Sequence, residues 1–318
     1  MNNIKVSIIC NTYNHEKYIE DAIKGFVCQK TDFKYEICIH DDASTDHTKE
    51  IIQKYERLYP DLIHAIIQSE NQYSKGISVN AINTARAKGE YIAFCEGDDY
   101  WIDPYKLQKQ VNLFEKYPDC ALVVHGSLIV NARNRFARRK WLLTQEERKL
   151  TFDEILASRG IVAAHNTYMY RNMENTFPEF FKNLGVWDTT RCIYFGLNNS
   201  VYYIPEIMSV YRVGIKGSWN DRVRLDSAKL VKHYQKEINF YQQLNQYTQL
   251  KYDKVITKII HQQEYQIAVC ERRYTDIKKD YKDILANQSF YQKLSFISQR
   301  ILPNTFNLLR IIRFKVWI

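Results

Sequence analysis

Two groups of acids stand out by type and spacing: Asp41-Asp42, and Glu96-Gly97-Asp98-Asp99, where three carboxylates fall within four positions. Carboxylate oxygens are hard ligands suited to Mg2+ or Mn2+, and an ion held by one or two of them keeps open positions for a diphosphate. Acids gathered at one place repel one another unless a cation or bound donor groups compensate. Metal chemistry is therefore the expectation for Glu96, Asp98 and Asp99, whereas Asp46 reads as a plain helix cap. His15, His40, His64 and His125 lack metal-ligand spacing and read as structural. No Gly-x-Gly-x-x-Gly and no Walker loop occurs. The seven cysteines are odd in number and form no Cys-x-x-Cys pair, which argues against a disulfide framework or zinc site and for a reducing cytosol.

The elements that must position these acids alternate. Val6–Cys10 reads as a buried strand, followed by helical spacing of Tyr18, Ile19, Ala22, Ile23 and Phe26. Tyr35–His40 is a second strand, and Ser44 or Thr45 can cap the next helix, which Pro60 stops. Leu62–Ile67 is a third strand, a helix near Val79–Ala87 follows, and Tyr91–Cys95 is the fourth. Such alternation predicts an α/β fold with a mostly parallel sheet flanked by helices. Open sheets of this kind bind ligands at the carboxyl ends of their strands. Here those ends read Asn11-Thr12-Tyr13-Asn14, Asp41-Asp42 and Glu96–Asp99. Beyond the helix Leu107–Tyr117, a long strand over Ala121–Val130, a helix over Thr151–Ala157 and a strand over Thr167–Tyr170 are expected. A helix over Trp187–Phe195 and a short strand, Val201–Pro205, follow. From about Arg222 to Ala286 the pattern is helical, with Leu230, Tyr234, Ile238 and Tyr241, then Val255, Ile259 and Ile260, as apolar positions.

Val6–Asn14 resembles the opening of the family 2 glycosyltransferases, which have the Rossmann-like GT-A fold. Asp41-Asp42-Ala43-Ser44-Thr45-Asp46 is similar to their second motif, usually Asp-Asp-Gly-Ser-Thr-Asp, and Gly89–Trp101 to the segment with their metal-binding acid-x-acid motif. The likeness extends to about residue 220. It implies a GT-A domain over 1–220, with a nucleotide-sugar half (1–117) and an acceptor half (118–220), followed by a helical extension over 221–318. It also implies that Thr12, Tyr13, Asp41, Asp42 and Glu96 bind the donor nucleotide and that Asp98 holds Mg2+ or Mn2+. Asp188, starting a late helix after Gly185-Val186-Trp187, is then the general base. Asp99, Trp101, His165, Arg212 and Trp219 are supporting or acceptor-side residues. Many relatives carry His two positions after the Arg, where this chain has Gly214; Gly25 and Ala43 read as unremarkable.

The activity implied is inverting, metal-dependent transfer of a sugar from a nucleoside-diphosphate sugar, UDP-sugars favoured, to a hydroxyl of a glycan or lipid-linked acceptor. Bacterial surface-polysaccharide assembly is the implied setting. Two other readings are a degenerate transferase-fold scaffold and a nucleotidyltransferase. The intact Asp42, Asp98 and Asp188 set speaks against the first. The lack of a Gly-rich first loop speaks against the second.

Charge is uneven along the chain. Residues 1–220 carry 27 basic and 27 acidic residues, so the net +9 lies wholly in 221–318. No nucleic-acid motif accompanies it. Residues 289–318 hold five bases, no acid and many large apolar groups, a composition suited to an anionic membrane surface or to a homo-oligomer. No stretch of about 18 apolar residues is long enough to span a bilayer, and no signal peptide is read. A cytoplasmic protein, peripheral on the inner membrane face, is the expectation. Arg133–Lys140, with five bases in eight residues, reads as a solvated hairpin or loop.

Overall fold

Continuous apolar runs bounded by short turns build the first half of the sheet. In a computed structural model, residues 4–132, 138–173, 177–184, 187–215 and 226–287 are described. The order opens β1 (Val6–Thr12), α1 (Ile19–Val27), β2 (Tyr35–Asp41), α2 (Thr48–Leu58), β3 (Ile63–Ile67), α3 (Val79–Ala85) and β4 (Tyr91–Phe94). β1 pairs in parallel with β2 on one side and β4 on the other, and β3 joins β2. Val6, Ile8, Ile9 and Cys10 are all fully buried, as strands covered on both faces must be. Ile19, Ala22, Ile23 and Phe26 turn one face of α1 into the same core.

The second half is built differently. It comprises β5 (Tyr100–Trp101), α4 (Lys106–Lys116), β6 (Cys120–Asn131), β7 (Arg138–Trp141), β8 (Arg148–Leu150) and α5 (Phe152–Ala157). Then come β9 (Met169–Arg171), α6 (Glu179–Asn183), α7 (Trp187–Asn198) and β10 (Ser200–Val213). The sheet runs β3-β2-β1-β4-β9-β6-β10-β5, with β7 on β6 and β8 on β10. β9 is antiparallel to both β4 and β6, so β6 runs in the direction of β4. β5 and β8 are antiparallel to β10, and β7 to β6. Parallel pairing therefore dominates only the block that carries the acids.

Several local expectations are corrected. The strand at Val201 does not stop at Pro205 but runs to Val213. β8 pairs with residues 201–203 and β5 with 209–210, so Pro205 falls in a gap between these ladders, where a missing N–H is tolerated. Neither Ser44 nor Thr45 caps α2; Asp46 does the work, its Oδ1 accepting from the Thr48 amide at 3.0 Å. Part of the basic run 133–140 forms a strand, β7, while 133–137 lie outside the described residues.

The chain divides into two units that interleave in sequence, 1–130, 136–177 and 191–212 against 131–135, 178–190 and 213–318. The boundary expected at 220 lies outside the described residues. In the second unit, α8 (Ser227–Tyr247) packs on α9 (Asp253–Cys270), followed by α10 (Tyr274–Asp280) and α11 (Lys282–Ala286). Asp226 caps α8 by accepting from the amides of Ala228 and Lys229. Its buried seam is Leu230, Phe240, Tyr241 and Leu244, while Tyr234 and Ile238 are only half-buried. On α9, Ile256 and Ile259 are buried and Val255 and Ile260 are not. Residues 289–318 lie outside the described residues. Among those described, no helix is long and apolar enough to cross a membrane.

Candidate active site

Because β1 lies between β2 and β4, the segments leaving their carboxyl ends are neighbours. The first two are zipped together by side-chain-to-backbone bonds. The Asn14 amide donates to Ser44 Oγ (2.9 Å), the Thr45 amide to Asn14 Oδ1 (2.8 Å), the Glu16 amide to Asp46 Oδ2 (3.1 Å) and the His15 amide to Thr48 Oγ1 (2.8 Å). The crossing requires left-handed backbone at Asn14 (φ 56°) and at Ala43 (φ 61°). Ala43 is thus not unremarkable: it stands where the motif usually has Gly, in a conformation that a Cβ disfavours.

The two acids of this motif face inward. Asp41 is fully buried and forms an Asx-type turn, accepting from the Ser44 hydroxyl and, at 3.0 Å, from the Ser44 amide. Burial raises its carboxyl above the usual range, against the lowering effect of those bonds. Asp42 is also buried; its Oδ1 accepts from the Gln72 amide (2.7 Å) and its Oδ2 from the Tyr73 amide (3.1 Å). Both oxygens therefore anchor the turn after β3, a role the sequence motif did not reveal. Thr12 and Tyr13 are set apart by exposure. Tyr13 is 44% exposed, while Thr12 is buried and its Oγ1 has no hydrogen-bond partner.

The third segment crosses over Thr12. A Cβ on Gly97 would lie 2.8 Å from both Thr12 Oγ1 and Ile19 Cδ1, so only glycine lets the acid-rich turn approach β1 this closely. Glu96 is exposed, Asp98 half-buried and Asp99 buried. Burial, reinforced by the Asp98 charge, pushes the Asp99 carboxyl well above its ordinary range. Asp99 is a supporting group: its Oδ1 accepts from the Arg212 amide at 2.7 Å. The Arg212 guanidinium donates to the Asp98 carbonyl (2.8 Å), pairs with Asp21 and lies 4.3 Å from the centre of the Tyr100 ring. Arg212 thus braces the turn. His15, read from sequence as structural, comes within 3.8 Å of Asp98 through its Nε2, and its Nδ1 is buried without a partner. Its position two residues past Tyr13, in the same loop, was the available signal. No sequence signal pointed to Asp21.

Of the expected acceptor-side residues, Trp101 belongs to the core and His165 is half-buried. Trp101 is 3% exposed; its indole N–H donates to the Asn166 carbonyl (2.9 Å), and its ring meets Phe26 and the Lys106 ammonium. A Cβ on Gly25 would lie 2.7 Å from the Trp101 carbonyl, so Gly25 is required for this close packing. His165 stacks on Phe94 with centroids 3.9 Å apart, and its Nε2 is out of reach of solvent. Burial first, then the Arg191 charge, holds its imidazole well below the usual range and hence neutral. Asp188 lies in the first turn of α7, its Oδ1 accepting from the Thr189 amide at 2.8 Å. Trp219 lies outside the described residues. Gly214 has φ 79°, a left-handed position natural to glycine.

Among the described residues, no three His, Cys, Asp or Glu side chains converge to form a ready cage for an ion. A hard ion bridging a diphosphate takes most of its ligands from phosphate and water and needs only one or two protein carboxylates. Asp98, half-buried in the turn that follows β4, fits that requirement.

Comparison with known proteins follows the same lines. An uncharacterized protein of Mycobacterium tuberculosis is 34% identical over 220 residues, 68% of this chain and 60% of the relative. The chain thus spans about 60% of the length of this curated relative. The poly(ribitol-phosphate) beta-N-acetylglucosaminyltransferase TarS of Staphylococcus aureus is 27% identical over 183 residues, 57% of this chain and 30% of that protein. The crystal structure of TarS residues 1–349 with UDP-GlcNAc matches with a TM-score of 0.53 at 20% identity, over 84% of this chain and 79% of that one. The mannosyltransferase PcManGT of Pyrobaculum calidifontis, solved with GDP-Man and Mn2+, matches with a TM-score of 0.52 at 13% identity, over 99% of this chain and 88% of that one. The fold is of the GT-A type. The family model described as glycosyl transferase family 2 matches residues 7–175, more than half of the sequence, and this chain belongs to that family.

Proposed function

We propose that the protein transfers a sugar from a nucleoside-diphosphate sugar to a hydroxyl of a glycan or lipid-linked acceptor, with inversion, during bacterial surface-polysaccharide assembly. One observation carries the reading. Exposed Tyr13 and buried Thr12 end β1, the Gly97-Asp98 turn after β4 crosses over Thr12, and His15 Nε2 lies 3.8 Å from Asp98, with Asp42 anchoring the turn after β3. This supports a site with an aromatic face for a base and a carboxylate for a diphosphate-bound ion. The TarS complex with UDP-GlcNAc and the PcManGT complex with GDP-Man and Mn2+ support a nucleotide-sugar donor and a divalent ion, UDP-sugars being favoured. The TarS name supports a surface-polymer acceptor.

In this mechanism Tyr13 packs against the base, and Asp42 acts at the base and ribose through the turn it anchors. Asp98 holds Mg2+ or Mn2+, with Glu96 close by at the ribose side; the ion supplies neutralisation of charge on the departing diphosphate. Asp188 takes the proton from the acceptor hydroxyl as that oxygen attacks the anomeric carbon and the bond to diphosphate breaks. One displacement inverts the anomeric centre. A positioned base contributes about 10²–10⁴-fold, and a helix N-terminus favours the ionised carboxylate. The segment 289–318 is proposed to hold the enzyme on the inner face of the membrane, checked by co-sedimentation with anionic vesicles.

Thermal stabilisation by UDP and GDP, with and without Mn2+, tests the donor site. Stabilisation that needs both nucleotide and ion is expected; none with any nucleotide would sink the assignment. Asp188→Asn should keep that stabilisation while transfer falls at least 10²-fold, and unchanged transfer would remove Asp188 as the base.

A further inference from the structure

His15 is placed by the loop that leaves β1. Its amide donates to Thr48 Oγ1 at 2.8 Å, and its ring meets Tyr18 edge-on with centroids 6.4 Å apart. The imidazole Nε2 then stands 3.8 Å from Asp98 Oδ2, and the two side chains are only 17% and 15% exposed. That separation is too long for a hydrogen bond, yet a ligand group that reaches Asp98 through an ion is also within reach of Nε2. The other ring nitrogen decides what His15 can offer. Nδ1 is buried and has no hydrogen-bond partner among the described residues. A proton on Nδ1 alone would be buried without an acceptor, while Nε2 would turn a lone pair on the Asp98 carboxylate. A proton on Nε2 removes that repulsion. Whether the ring carries one proton or two, Nε2 is therefore an N–H donor facing Asp98. The same feature argues against His15 as a ligand of the ion. A metal-bound imidazole almost always donates its other ring N–H to a carboxylate, carbonyl or water, and no protein acceptor faces Nδ1 among the described residues.

We propose that His15 donates from Nε2 to a phosphate oxygen of the nucleotide's diphosphate, beside the ion at Asp98, and is not itself a ligand of that ion. The inference rests on the donor-site reading above and adds to it a residue that touches the diphosphate directly. Asp98 and His15 then divide the work. The carboxylate holds the diphosphate through the ion, and the imidazole holds it by an N–H bond to a charged oxygen, one of the stronger kinds of hydrogen bond. Within one short loop, Tyr13 serves the base, and His15, just past left-handed Asn14 (φ 56°), serves the phosphates.

The test compares wild type, His15→Phe and His15→Gln as full chains. Phe keeps an aromatic ring against Tyr18 and removes the donor, whereas Gln carries an amide N–H at about the position of the imidazole Nε2. UDP affinity is measured by calorimetry with Mn2+, and uridine binding by saturation-transfer NMR without metal. The expected result is that His15→Phe weakens UDP about tenfold, the worth of one hydrogen bond to a charged group. Uridine binding stays unchanged, and His15→Gln recovers most of the loss. Unchanged UDP affinity in His15→Phe, or equal weakening by Phe and Gln, would overturn the contact. An equal loss for uridine would also overturn it, by showing that the loop as a whole had moved. Electron-spin-echo spectra of the wild-type complex with Mn2+ and UDP read the alternative. A nitrogen coupling to Mn2+ that His15→Gln abolishes would make His15 an ion ligand and overturn the proposal; no such coupling is expected. Wild type that binds neither UDP nor uridine would remove the donor-site reading itself, and this inference with it, whereas the other overturning results leave UDP binding by wild type intact.

Discussion

The backbone amide of Arg212 donates to Asp99 Oδ1 at 2.7 Å, tying the end of β10 to the acid-rich turn 113 residues earlier. The same residue's guanidinium holds the Asp98 carbonyl and pairs with Asp21. A single residue thus sets the position of the carboxylate proposed to hold the ion, through its backbone and its side chain together.

Arg212→Ala should therefore lower stability by about 2 kcal/mol, the scale for losing hydrogen bonds from a charged donor, and weaken Mn2+-dependent nucleotide binding. Asp21→Asn removes a half-exposed partner and should cost less than about 1 kcal/mol. Urea denaturation of both variants with nucleotide titrations checks this; equal losses would show that the pair, not the bond to the turn, carries the effect.

At Gly97 an added methyl meets Thr12 Oγ1 and Ile19 Cδ1 at 2.8 Å. Gly97→Ala should cost about 1–3 kcal/mol through overpacking and shift the turn away from β1. The expected signature is a folded protein whose stabilisation by UDP with Mn2+ is reduced. Full stabilisation would mean that the turn tolerates displacement.

Ala43 has the opposite sign. Its left-handed φ of 61° costs about 1–2 kcal/mol, and glycine's extra freedom in the unfolded chain takes back about 0.5–1. Ala43→Gly should raise the urea midpoint by the equivalent of about 0.5–1 kcal/mol with an unchanged m-value. A lower midpoint would contradict a strained alanine.

Lys106 is fully buried against the Trp101 ring and donates to Gln110 Oε1 at 2.6 Å; burial pulls its ammonium down to about 7. Between that value and the ordinary 10.5 the unfolded chain binds the extra proton, so this residue makes stability rise with pH. The slope is at most about 1.4 kcal/mol per pH unit across the window and vanishes on either side. Lys106→Met should remove that component of the slope between pH 7 and 10.5, measured by urea denaturation at stepped pH. An identical slope in the variant would mean that Lys106 keeps its ordinary affinity for protons.

The outcome at individual residues shows where sequence reading stops. The strands Val6–Thr12, Tyr35–Asp41 and Tyr91–Phe94 and the acids at their ends were visible because strand burial writes itself as uninterrupted apolar runs, and strand ends in such sheets carry ligand sites. Periodicity misled at Pro205, where the gap between two ladders removes the usual penalty for proline, and at Tyr234 and Ile238, where packing selects a neighbouring stripe of α8.

By itself the sequence determined the parallel block, the three motif segments and their order, since these depend on local composition and spacing. Only the tertiary structure decided what each acid does there. Asp42 bonds to backbone that the turn after β3 presents, and Asp99 answers to Arg212. Trp101 turns into the core, His165 stacks on Phe94, and His15 comes up to Asp98. The physical reason is common to all of them. A side chain's partner is fixed by which strand ends the sheet order makes neighbours, and that order joins residues as far apart as Asp21 and Arg212, 191 positions.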